Sequence, residues 1–155
     1  MNTKTKALIA KIIQVNEGDP WFGRSAWSIL DEVNINNVRT KPAGVGHSML
    51  ELLYHMITWA DFTLQRIVKN PVNDLSATEQ LDWREIDPQI HTWEKGLAEF
   101  KSIQKKIITA LGEKQDAFLE EIVDYRSYNF DFLVNGMIEH TIYHLGQTAY
   151  VQKML

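Results

Sequence analysis

The chain has no cysteine among its 155 residues. That excludes disulfides, thiolate metal sites and a cysteine nucleophile together, and leaves His, Asp and Glu as the side chains able to hold a metal. It also fits a reducing compartment. Breakers are few, with four prolines and eight glycines, so long helices can run uninterrupted. Positive charge is short as well: 16 Lys and Arg against 20 Asp and Glu give a net charge of −4. A broad basic face for nucleic acid is therefore not expected. No window approaches the roughly 18 consecutive apolar residues that read as a bilayer span. The opening stretch MNTKTKALIAKIIQVNEG places Lys4 and Lys6 before an apolar run, but Lys11 interrupts it and no small-residue cleavage site follows. It reads as an amphipathic helix and not as a signal peptide. The expectation is a cytoplasmic protein without a membrane partner.

What the chain does have is 45% apolar residues, five of its side chains being Trp. That suits one domain over residues 1–155 with one core. No internal repeat or low-complexity tract is present. Leu8, Ile9, Ile12, Ile13 and Val15 give helical spacing from about Thr3 to Asn16. EGDP breaks that helix, a short helical piece RSAWSILDEV follows, and NINNVRTKPAGVG has the composition of a loop. Ser48 and Glu51 form a capping box ahead of the second long helix, whose apolar face is Met49, Leu52, Leu53, Met56, Ala60, Leu64 and Ile67. Residues 71–87 carry no sustained period, and aperiodic crossovers that long are often functional. Asp87-Pro88 reads as an N-cap and first-turn proline for a third helix reaching Leu111, with Gly112 as its cap. Its inner side is Trp93, Leu97, Phe100, Ile103 or Gln104, and Ile107. EKQDAFLEEIVDYRSYN fits either a short helix or an extended excursion. A last long helix runs from Phe130 to Lys153. Its stripe is Leu133, Met137, His140, His144 and Val151, with Gln147 or Thr148 filling the gap. Four long helices in an all-α chain predict a four-helix bundle, with a long crossover between the second and third.

Five histidines are present. His140 and His144, at i and i+4, project from one helix face and can share an ion, as H-x-x-x-H pairs do. A catalytic site usually needs a third protein ligand and an open position. His47 precedes the Ser48 cap and is a loop residue, and His91 falls in the first turn of the third helix beside polar Gln89 and Thr92. His55 lies mid-helix, about 60° from Leu52 and about 40° from Trp59 at roughly 100° per residue, beside the buried stripe. It is the candidate third ligand. Three imidazoles suit zinc, nickel, iron or copper. Such an ion can lower the pKa of bound water to about 7, activate a thiolate or polarise a carbonyl. Glu51 is a candidate to orient His55 and Gln147, about 60° from His144, to line a pocket, while Glu139 should be solvated and Tyr54 and Tyr143 should pack.

The segments PWFGRSAWSILDEV, HSMLELLYHMITWADFTLQRI, LDWREI with TWEKGL, and GMIEHTIYHLGQTAYVQK resemble, in order and spacing, the DinB-like (YfiT-like) superfamily of small metal-binding four-helix proteins. The resemblance covers most of the chain. It implies an up-down-down-up bundle holding a divalent metal (Zn, Ni or Fe) on His55, His140 and His144. Similar proteins include S-transferases that use bacillithiol or mycothiol, a maleylpyruvate isomerase and metal-dependent hydrolases, and homodimers are frequent. Leu145 and Thr148 depart from the family's usual small or aliphatic residues without touching the ligands.

The leading functional expectation is therefore a metal-dependent enzyme activating a thiol or water against a small electrophilic substrate. A low-molecular-weight thiol would supply any sulfur nucleophile. Trp59 and the Trp21–Trp27 region are candidate pocket walls, core packing being their ordinary role. The alternatives are a non-catalytic metal- or ligand-binding helical protein, and a helical interaction module without metal.

Overall fold

Wherever apolar residues recur at helical spacing over a long segment, the chain forms a helix. The computed structural model describes residues 2–44, 46–71 and 75–155. Among them the helices are α1 (Thr3–Glu17), α2 (Ala26–Asp31), α3 (Met49–Ile67), α4 (Leu75–Gln80), α5 (Trp93–Gly112), α6 (Asp116–Glu120) and α7 (Phe130–Met154). No strand forms among the described residues; an isolated antiparallel bridge joins Ile122 to Asn129. Residues 72–74 of the expected crossover and Val45 of the expected loop lie outside the described residues, as does Met1. No described helix is long and apolar enough to cross a membrane.

The four long helices build the body. α3 packs chiefly against α5 and α7, and α1 packs against the same two. α3 is the most central: both of its flanks are apolar, and Met49, Leu50, Leu53 and Ile67 are fully buried. Close approach of α3 and α5 uses Gly96, where a Cβ would come 3.0 Å from Leu53 Cδ2 and 3.1 Å from Tyr54 Cε2. On α5 both contenders for the ambiguous inner position are buried. Ile103 enters the apolar core, and the Gln104 amide accepts from Asn16 Nδ2 of α1 at 3.4 Å, which offsets part of its desolvation.

The capping box forms as expected. Ser48 Oγ accepts from Glu51 N at 3.3 Å, and the Glu51 carboxylate accepts from Ser48 N at 2.7 Å. Ser48→Ala is expected to cost about 1 kcal/mol. Thermal denaturation should register it as a Tm lower by roughly 2–4 °C.

Two boundaries differ from expectation. Asp87 does not start the third helix. Its carboxylate accepts from Gln89 N and its own N–H donates to His91 Nδ1, so residues 87–90 close a separate turn. Thr92, whose hydroxyl accepts from Lys95 N, is the actual cap, and α5 continues through Gly112. The ambiguous segment holds both alternatives: helix α6, then the bridged excursion. Asp116, at the start of α6, accepts from the N–H groups of Thr3 and Thr5 and so caps α1 from a distance in sequence.

Candidate metal centre

α3 and α7 each present a histidine-bearing face to their shared seam. His55 and His144 are 6% and 5% exposed, and His140 is half-buried. His140 Nε2 lies 2.9 Å from His55 Nε2 and 3.1 Å from His144 Nε2. One ligand atom from each of the three falls within 4.8 Å of the other two. Two nitrogens sharing a tetrahedral zinc would be about 3.3 Å apart, so the spacing is close to that of a common ion.

The outward ring nitrogens decide which way these imidazoles are protonated. His55 Nδ1 is 2.7 Å from Asp82 Oδ1, within ion-pair distance. His144 Nδ1 is 2.6 Å from Gln147 Oε1. An ionised carboxylate and an amide carbonyl only accept. Each therefore favours an Nδ1–H tautomer, which leaves the Nε2 lone pairs of His55 and His144 aimed at the centre of the cluster. A donor set of buried neutral imidazoles with converging lone pairs fits a divalent transition metal.

Electrostatics act the same way. Burial, followed by the proximity of His144 and His55, pushes His140 from the usual 6.5 down to about 3. Burial also lowers His55 against the upward pull of Asp82, and lowers His144 against that of Gln147. All three are therefore neutral near pH 7, the state a metal requires.

Asp82 and Trp83 were not singled out by the sequence. They lie in the turn after α4, pinned to α3: Arg84 donates to Thr58 Oγ1 at 2.5 Å and to Leu81 O at 3.1 Å. Asp82 Oδ1 also accepts from Trp59 Nε1 at 2.6 Å. The Trp83 ring lies flat between two imidazoles, 3.9 Å from His55 and 3.7 Å from His47. Both residues belong to the aperiodic crossover, where length and the LDWREI resemblance were the signals, neither of which pointed to these two side chains.

Other expected residues sit elsewhere. Glu51 does not orient His55. Burial alone would raise its carboxyl, but Lys41 and Ser48 outweigh this and hold it below the usual range. His47 contributes no ligand atom to the cluster, and His91 serves the 87–90 turn. Tyr54 donates to Thr92 O, Tyr143 is exposed beside His144, and Glu139 is solvated. Trp59 does wall a cavity beside His140. Trp21 is fully exposed and Trp27 packs edge-on against Phe100, so neither lines it.

A sequence model of the DinB superfamily matches residues 23–148, a span that includes all three clustered histidines and Asp82. No curated protein matches the chain.

Proposed function

The chain belongs to the DinB superfamily, and from that premise we propose that His55, His140 and His144 hold a divalent metal in an enzyme acting on a small electrophilic substrate. The observation that carries the reading is the convergence of three Nε2 atoms while the outer nitrogens of His55 and His144 face acceptors. A metal there would supply Lewis-acid chemistry, lowering the pKa of a thiol or water or polarising a carbonyl. The chain's own residues do the rest. Asp82 and Gln147 fix the ring orientations of His55 and His144, and Trp83 covers one face of His55 against water. With no cysteine in the chain, a sulfur nucleophile comes from a low-molecular-weight thiol.

The test is turnover of 1-chloro-2,4-dinitrobenzene with added thiol, or of 4-nitrophenyl acetate without it, by tag-free protein loaded with zinc, nickel or iron. We expect metal-dependent turnover that disappears in His144→Ala. Equal rates in the two proteins would end the catalytic reading.

One observation favours a second reading, a non-catalytic ligand-binding protein. The carboxylate nearest the cluster, Asp82, is already engaged by His55 and Trp59, which leaves it a poor general base. Under that reading the metal is retained and neither substrate is consumed.

Asp82→Asn separates orientation from ligation. It removes the negative charge facing His55 Nδ1 while leaving all three imidazoles in place. Metal affinity should fall about 10–100-fold, measured by competition with a chromophoric chelator.

A further inference from the structure

The seam between α3 and α7 continues beyond the histidines as a cavity of about 200 Å³ that begins at His140. Trp59 and Phe62 of α3 and Phe132, Leu133, Gly136 and Met137 of α7 form most of its wall. No described lining residue is an Asp, Glu, Lys or Arg. The Thr63 hydroxyl, which also reaches the wall, is spent on Trp59 O at 2.9 Å. Apart from Tyr128 and His140, the described wall offers a charged or strongly polar group no side-chain partner for the hydration it would lose, whereas an apolar ring would be favoured by burial. Apolar cavities of about 150 Å³ admit benzene, so this one is sized for a single six-membered ring with a short substituent.

Gly136 gives the cavity its width. It sits in the interior of α7, where glycine is poorer than alanine, and a Cβ built there meets nothing within 4 Å. Packing does not require the missing side chain, and its absence is felt as open volume in the cavity.

Resting on the metal-site reading above, we infer that the substrate carries an uncharged aromatic or compact aliphatic group, seated between Trp59 and Gly136, which directs its reacting atom toward the three histidines. Gly136 is the residue that sets how large that group can be. The remainder of the substrate extends from the histidine end.

Two hydroxamates serve as probes, since both chelate zinc through the same head and differ in the tail. Zinc-loaded protein should bind benzohydroxamate about tenfold tighter than acetohydroxamate by calorimetry, the gain expected from burying a ring. In Gly136→Leu that ratio should fall to about one. Gly136→Ala, which should fold at least as stably with a higher Tm, should give an intermediate ratio. Benzyl alcohol provides a readout without metal: in chelator it should shift the Trp59 indole N–H resonance of the wild type and not of Gly136→Leu. A ratio near one in the wild type, or one unchanged by both substitutions, overturns the inference. If benzyl alcohol enters the cavity but neither hydroxamate shows zinc-dependent binding, the metal-site reading fails and takes the inference with it.

Discussion

His140→Ala is expected to abolish the stabilisation of this protein by a divalent metal. His140 occupies the middle of the cluster, its Nε2 lying 2.9 Å and 3.1 Å from those of His55 and His144. Removing it takes out the one nitrogen in direct contact with both others. An ion that binds only the folded chain stabilises it by mass action, about 4 kcal/mol when free metal stands at 1,000 times Kd. For a chain of this length that corresponds to a Tm higher by roughly 8–16 °C. With two histidines left, the gain should fall below about 1 kcal/mol at the same metal concentration. Thermal denaturation with zinc and with chelator, on tag-free wild type and variant, measures both differences. Equal zinc-induced shifts in the two proteins would place the ion elsewhere.

The ease of reading this site from sequence follows from where its parts lie. His140 and His144 are adjacent on one helix face because four residues make slightly more than a turn, so their pairing is a local property. His55 requires only that the apolar stripe of α3 face that of α7, a consequence of burying both stripes in one core. Asp82 and Trp83 had no such route. They sit in a segment without period, and their place beside His55 depends on the hold of Arg84 on Thr58 and Leu81. Nothing local announces a contact of that kind. Glu51 shows the opposite difficulty. The capping box and the orienting role competed for one carboxylate, and the cap prevailed because Ser48 N is near in sequence and Lys41 adds a 2.8 Å ion pair.

The start of α5 was obscured for a related reason. Asp-Pro is a reasonable helix opening, but Asp87 also forms a tight turn with Gln89, and His91 closes it through a side-chain nitrogen. Four residues past Pro88, that turn yields to the Thr92 cap, the point from which Trp93 and Gly96 can meet α3 and the core. Tertiary packing chose between two locally acceptable caps. Of the Trp21–Trp27 region, Trp27 takes the ordinary packing role, lying on Phe100, and Trp21 is exposed, because aromatic content alone says nothing of direction.

The buried imidazoles should also make the metal-free protein sensitive to mild acid. Each is harder to protonate in the folded chain than in the unfolded one, where the ordinary value is 6.5, and His140 is displaced furthest, to about 3. Above pH 6.5 both states are neutral and the histidines add no pH dependence. Below it the unfolded chain takes up protons that the folded chain refuses, so stability rises with pH and falls as the solution is acidified. The loss runs from 6.5 toward 3, at about 1.4 kcal/mol per pH unit for each histidine that titrates only in the unfolded state. Urea denaturation in chelator at pH 7, 6 and 5 stays largely above the carboxylate range and isolates this contribution. The wild type should lose stability steadily over that interval, and His140→Gln should lose less, because it removes the most displaced group and relieves the crowding of charge on the other two. A flat profile from pH 7 to 5 in the wild type would mean that the imidazoles are hydrated enough to protonate in place, and the dry, converging cluster on which the proposed metal binding depends would be lost with it.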